Sequence, residues 1–492
     1  GAHAHPVAQL PALDDSLVAP NVASNVACMN PVVSSGRFQL FTDTSAVSAE
    51  AQDLEGWQLV QATDMQHHAD RWLYRHDIIG NVCWPGQVNS SDDQLASQCD
   101  FELQSIWAHF PRAGDPYAAP LKGTCALKQI TIDGLRHARK LGDILKREYG
   151  QHGRHPLRGL DSLGCVPGSV FLASDAVEKN ERTIEEVYTG LCGWAPELGV
   201  FPAHAVIVSA SHPARGNPFW LKPGLCSGAE LDRYNRETAV AQESDPFWVG
   251  EVGQLAAKVA SLTGHYLPKD VAEYRPFLSS IVDCTLCHAC LGLDDAPRAL
   301  LNDEGAPDEL GLFGRLDRVE TAGVLWPFTY FRRLGEGAFL RYARLAFGYY
   351  FVVLADRMQA AVDRISRNEH EKVGASPAIF IQVMSDVNIS PQLAMLGLEE
   401  AASVRPQWLA TLITELWVRG SGSSAEFSVR VLYSGKIQRP CPGQRGALCP
   451  WSAFRALLLK FAPDAGSCPQ FYDNYDLVSS LKSEVPSPEA SS

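Results

Sequence analysis

The chain has 492 residues, 46% of them hydrophobic, and a formal net charge of −14. That supplies a sizeable core, for one large α/β domain with insertions or for roughly two to four average domains. The acidity excludes nucleic acid and anionic membrane surfaces as expected partners, since neither is attracted to a negative field.

Residues 1–55 are rich in Pro, Ser and Ala and weakly periodic, and read as an extended N-terminal arm tied down through Cys28. The chain opens Gly-Ala-His-Ala-His without Met, which suggests processing or truncation. Residues 56–66 carry Trp57, Leu59 and Val60 and predict a short buried strand. This strand delivers His67-His68-Ala69-Asp70-Arg71. The stretch 77–120, with many turn residues and with Cys83 and Cys99, predicts a long loop. Arg75-His76-Asp77 falls at its start and is read as loop. Leu135, Ala138, Leu141, Leu145 and Tyr149 then recur on one helical face, with Thr131 as N-cap and Gly150 as C-cap.

Residues 169–173 predict a second core strand, Ser174–Glu181 a loop, and Arg182-Thr183 the start of a helix ending near Leu191. Residues 200–330, broken by Pro and Gly, predict a mostly helical inserted cap. Residues 335–366 predict a largely buried helix, and the run 378–384 a third buried strand. That strand presents Ser385-Asp386-Val387-Asn388-Ile389-Ser390-Pro391 at its C-terminal end, where open α/β sheets bind ligands. A further helix is expected from Leu393. The runs 412–418 and 427–433 predict a β-hairpin, and the Ser/Pro/Glu end from Ser483 a disordered tail.

Thirteen cysteines lie scattered through loop-like contexts, which predicts several disulfides and an oxidising compartment, with one free thiol or one intermolecular bridge left over. Asn89-Ser90-Ser91 and Asn388-Ile389-Ser390 are glycosylation sequons. Cys284-Thr-Leu-Cys287-His288-Ala-Cys290 admits haem attachment, zinc or a disulfide cluster. Scattered spacing and the lack of a nearby axial ligand favour disulfides, so no cofactor and no metal is expected. The longest apolar run, 346–355, is too short to span a bilayer.

The order of these pieces resembles branch-2 histidine acid phosphatases over roughly residues 56–460, and among them 2-phosphoxylose phosphatase-like proteins. His67-His68-Ala69-Asp70-Arg71 is similar to the Arg-His-Gly-X-Arg signature of that family. Ile130-Thr131-X-X-Gly134, the Arg182-Thr183 helix, Glu415-Leu416-Trp417, Val429-X-X-Leu432-Tyr433 and the Cys449-Pro450 turn follow in the family's order. The resemblance implies an α/β histidine phosphatase (phosphoglycerate-mutase-like) three-layer sandwich with an inserted helical cap. The core would comprise residues 56–199 and 331–470, the cap 200–330 and the tail 471–492.

It also implies two-step nucleophilic chemistry through a phosphohistidine. His68 takes the nucleophile's place and Asp386 the proton donor's. Arg71, His67 and Ser385 take phosphate-binding places. Three of the family's cationic or polar clamps are replaced, by His67, by Ala173 (or Ala176) and by Ser385. Each lost charge-assisted hydrogen bond is worth roughly 1.5–3 kcal/mol. Together they amount to about 10³- to 10⁶-fold in rate if additive. A protonated His67 would restore part of the charge near or below pH 6.5. The expectation is a pseudophosphatase of the secretory pathway (Golgi lumen, cell surface or outside) that binds a glycan, a phosphorylated ligand or a protein. The alternative is an active acid phosphatase on a phosphorylated sugar such as phosphoxylose.

Overall fold

The computed structural model describes residues 53–69, 102–103, 121–122, 129–161, 164–174, 178–193, 206–209, 226, 228–290, 300, 311–369 and 376–474. Arg71, Arg75-His76-Asp77, nearly all of the expected arm, Cys28, Cys83, Cys99, the Asn89 sequon and the tail beyond 474 lie outside the described residues.

The central sheet is built from β1 (Gln58–His67), β2 (Val170–Ser174), β3 (Val206–Ser209), β4 (Ile379–Met384), β5 (Thr411–Arg419), β6 (Glu426–Tyr433), β7 (Lys436–Gln438) and β8 (Cys449–Pro450). Its order is β7-β6-β5-β1-β4-β2-β3, with β8 on β6. β1, β4, β2 and β3 run parallel, while β5 pairs antiparallel with both β1 and β6. Strand β3 belongs to this sheet although it lies inside the stretch expected to be cap. The core therefore continues at least to Ser209. In the parallel half, runs such as Ile379–Met384 are buried throughout, as strands covered on both faces must be.

Helices α1 (Ile132–Tyr149) and α2 (Glu178–Cys192) cover one face of the sheet. The predicted caps of α1 are in place: Thr131 Oγ1 accepts the Gly134 N–H at 3.1 Å, and the Gly150 N–H closes the last turn on Lys146 O. The two helices touch backbone to backbone. A Cβ on Gly142 would lie 2.1 Å from Val187 O, and one on Gly190 2.2 Å from Arg139 O. Helix α2 begins at Glu178, four residues before the expected start at Arg182.

The cap comprises α3 (Gly228–Ser244), α4 (Gly253–Thr263), α5 (Val271–Cys290) and α6 (Gly311–Leu334). It has its own apolar core around Trp248, Ile281, Leu316 and Trp326. Helices α7 (Glu336–Ala343), α8 (Tyr349–Ser366), α9 (Asp386–Met395) and α10 (Trp451–Leu459) pack against the other face of the sheet. The run Glu336–Ser366 is long and apolar enough to pass for a membrane span, but 67% of its most apolar window is buried in the fold. The result is the expected three-layer sandwich with a helical cap.

Cys165–Cys192, Cys226–Cys468 and Cys441–Cys449 form disulfides; Cys284 is also bridged, and Cys287 is a buried thiol. No cluster of metal-ligating side chains occurs among the described residues.

Two polar features lie buried in the sheet. Asp64 on β1 is fully buried, neither carboxyl oxygen has a partner, and burial raises its pKa well above the usual range. Nearby, Glu415 and Arg430 face each other across β5 and β6, both without exposed side-chain surface. Arg430 donates to Glu415 through Nε (2.5 Å) and Nη2 (3.0 Å), Tyr149 OH donates at 2.7 Å and Trp417 Nε1 at 3.0 Å. Burial raises the Glu415 pKa, but these donors outweigh it and hold the carboxylate charged.

His155 packs edge-on to Trp417 at 4.9 Å beside this pair. Burial, reinforced by Arg430, pushes its pKa down to about 4. A histidine depressed from 6.5 to about 4 contributes stability that is full above pH 6.5 and is lost as pH falls towards 4. His155→Phe keeps the aromatic edge and removes this titration. Its stability, read from urea midpoints, is expected to fall less steeply than wild type between pH 6.5 and 4. The difference approaches one proton, about 1.4 kcal/mol per pH unit. Parallel curves would show that His155 does not titrate there.

Candidate active site

The parallel pairing of β1 with β4 sets His67 opposite Met384, so both strands release their chain at the same edge. The His67 N–H donates to Ala410 O (2.8 Å) and the His68 N–H to Met384 O (3.1 Å). The Leu409 N–H returns to His68 O (3.1 Å). The Ala69 N–H donates to Thr183 Oγ1 at 2.9 Å, and the Thr183 hydroxyl donates to Lys179 O at 2.7 Å. Thus α2, which carries the expected Arg182-Thr183 motif in its first turns, does serve the signature loop, through Thr183. Arg182 does not line the cavity. It is buried and bound at 2.9 Å to both oxygens of Glu185. Ala69 is buried in the core beneath α1 and α2, with no left-handed φ, so a methyl group is accommodated there.

These segments enclose a cavity of about 190 Å³, lined by His67, His68, Lys179, Ser385, Asp386, Arg405 and Trp408 from the sheet side. Ser279, Val282 and Asp283 on α5 and Glu320 on α6 line it from the cap. The structure therefore brings four of the expected residues together: His67, His68, Ser385 and Asp386.

His68 Nδ1 lies 2.9 Å from Ala69 O. A carbonyl only accepts, so Nδ1 carries a proton, and in the neutral form of the ring, the form a nucleophile needs, the lone pair sits on Nε2. The ring lies 4.2 Å from that of His67. His67 is fixed in the same way, Nδ1–H to Gln407 O at 2.9 Å. Burial pushes its pKa down to about 4, with Lys179 and Arg405 adding to this and Asp386 opposing. Burial thus works against the protonation expected of His67, while the neighbouring Asp386 works for it.

Asp386 opens α9 directly after β4, earlier than the helix expected from Leu393. The Val387 N–H donates to its Oδ1 at 2.9 Å. Burial pushes its pKa up, but His67, Arg405, Lys179 and the Val387 N–H outweigh this and leave it below the usual carboxylate range. Ser385 precedes it as N-cap, its N–H donating to Asn388 Oδ1 at 3.2 Å. Asn388 is thereby used as a cap and Ser390 is buried, so this sequon is folded into the start of the helix.

Sequence reading misses Lys179, Arg405, Trp408 and the cap acids. Arg405 Nε donates to Asp317 Oδ1 at 2.7 Å, and its Nη1 lies 3.9 Å from Asp386 Oδ2. Leu409 holds the segment between Arg405 and β5 in a left-handed turn, φ +60°. A bulky residue there costs about 1 kcal/mol or more and persists because Gln407 O and the Leu409 N–H are both engaged by the histidine pair. Glu320 is raised by burial and further by Asp386, against Arg275 and Arg405. An Arg-Pro dipeptide in a linker carries no local signal for any of this.

No family model and no curated protein matches the chain. Its backbone is similar to that of the Citrobacter braakii phytase (TM-score 0.51, 11% identity, 85% of this chain and 99% of that one). It is also similar to the Hafnia alvei phytase, both without ligand and with myo-inositol hexakis sulphate. For the two, the TM-score is 0.50 and the identity 13%, over 83% of this chain and 97% or 98% of those. Such likeness speaks for the backbone, and on that ground the chain has the histidine acid phosphatase fold.

Proposed function

We propose that this protein keeps the phosphatase fold but has lost phosphoryl transfer, or retains very little, and acts by binding a ligand or partner at the former catalytic cavity. One observation carries the reading. Among the described residues the cavity wall offers two strong cations, Lys179 and Arg405, against three acids, Asp283, Glu320 and Asp386. Arg405 is moreover spoken for by Asp317. Phosphoryl transfer depends on preorganised positive charge around a dianion, and the described part of this wall is close to balanced or negative. Disulfides support a place in the secretory pathway.

The alternative, an active phosphomonoesterase acting on a phosphorylated sugar, is favoured by the tautomer of His68, which suits a nucleophile. The two separate in a direct assay. Purified protein with para-nitrophenyl phosphate and 2-phosphoxylose between pH 4 and 7 is expected to give no turnover above that of His68→Ala. Turnover that His68→Ala abolishes would establish the alternative.

A further inference from the structure

We infer that Asp317, a residue of the cap that does not itself line the cavity, sets the specificity of the cavity by holding Arg405 away from anions. The inference deepens the reading above and rests on it, because it names what keeps a guanidinium on the wall out of service.

Arg405 is one of the two strong cations on the described part of the wall. Its backbone has little freedom. Pro406 follows it, which steers Arg405 away from helical conformations. The next residues are tied to the histidine pair: Gln407 O accepts from His67 Nδ1, and the Leu409 N–H donates to His68 O. The guanidinium therefore chooses only among partners within reach of its own side chain.

Two carboxylates lie within that reach. From the sheet side, Asp386 Oδ2 is 3.9 Å from Nη1, too far for a hydrogen bond. From α6 in the cap, Asp317 Oδ1 accepts from Nε at 2.7 Å, the length of a charge-assisted bond. Asp317 is set in place by its helix, since Leu316 and Val319 beside it are buried in the cap's own core. The paired side chains are only 13% and 23% exposed, so solvent ions screen them little.

An arginine grips a phosphate or carboxylate best with two parallel N–H groups. With Nε committed to Asp317, the edge of the fork that contains it is closed to a ligand. The charge of Arg405 is also offset by Asp317 and by Asp386 together. Removing the Asp317 carboxylate frees that edge and takes one negative charge from beside the cavity, yet deletes no group from its lining. A residue that merely clasped the cap to the sheet makes the opposite forecast: its loss would loosen the cavity and weaken any ligand.

Inorganic phosphate is the probe, with its affinity read by calorimetry and phosphorus NMR on the full chain near neutral pH. Turnover of para-nitrophenyl phosphate is followed in parallel. Asp317→Asn is expected to bind phosphate about tenfold more tightly than wild type, or better. The double variant Asp317→Asn/Arg405→Met is expected to lose that gain, because the gain acts through Arg405. Circular dichroism and urea midpoints check the fold, and should Asp317→Asn not fold, Asp317→Ala is measured in its place. If neither folds, Asp317 is structural and the inference falls. Phosphate affinity that is unchanged or weaker in a folded Asp317 variant, including binding undetected in both proteins, overturns it. So does a gain that persists in the double variant. Wild-type turnover that His68→Ala abolishes overturns the loss of catalysis instead, and leaves Asp317 to be judged on the affinities alone.

Discussion

Replacing Arg430 by methionine is expected to destabilise the protein by about 3–5 kcal/mol, among the largest effects available to a single substitution here. The reason is the charge left behind. Glu415 has no exposed surface and is kept ionised at the centre of the sheet by two bonds from Arg430. Tyr149 and Trp417 would still donate to it, but two neutral donors do not balance a buried anion. The carboxyl would take up a proton, and the variant's stability would then rise as pH falls over the range where wild type shows no such gain. Urea midpoints at several pH values measure both effects. The double variant Arg430→Met/Glu415→Leu is expected to regain part of the loss, because it removes the orphaned charge, though not all of it, because Tyr149 and Trp417 lose their acceptor. A single variant within about 0.5 kcal/mol of wild type would show that the pair is energetically idle.

The second large effect lies at the helix crossing above the site. Gly142→Val or Gly190→Val places side-chain atoms where the neighbouring backbone already is: even the first carbon would approach Val187 O to 2.1 Å or Arg139 O to 2.2 Å. Backbone cannot rotate away as a side chain does, so α1 and α2 must separate. Overpacking of this kind costs about 1–3 kcal/mol and more where no relaxation is open; about 3 kcal/mol or more is expected here. The consequence reaches the cavity, since α2 carries Lys179 and also Thr183, which holds the Ala69 N–H. Either glycine variant is therefore expected to perturb the His68 ring signals in NMR as well as the urea midpoint. The two substitutions act on one contact, so the double variant should cost less than their sum. A Gly142→Val protein with native stability and unchanged His68 signals would mean that the helices sit farther apart.

Elements with a strong local pattern are legible in the sequence. The amphipathic face from Leu135 to Tyr149 forms one helix between Thr131 and Gly150, because capping and periodicity are both properties of neighbouring residues. The buried runs at 58–67 and 379–384 are the adjacent parallel strands that end at the site. Local signals mislead where long-range contacts compete with them. The composition of Ser174–Glu181 predicts a loop as far as Arg182, yet helix begins at Glu178, packed against α1 through a contact that no window of sequence contains. Val206–Ser209 falls in the stretch expected to be cap but completes the sheet beside β2.

By itself the sequence determined the layered α/β scaffold and the order of its signature segments, and with them the meeting of His67, His68, Ser385 and Asp386 at one sheet edge. Strand periodicity and motif order are local properties of the chain. Only the tertiary structure decided the charge of that edge. It buried His67, which lowers its pKa, brought Lys179 and Arg405 from distant segments, and set the acids of the cap opposite them. Electrostatic energy depends on burial and on distance through space, and neither is written in the spacing of residues along the chain.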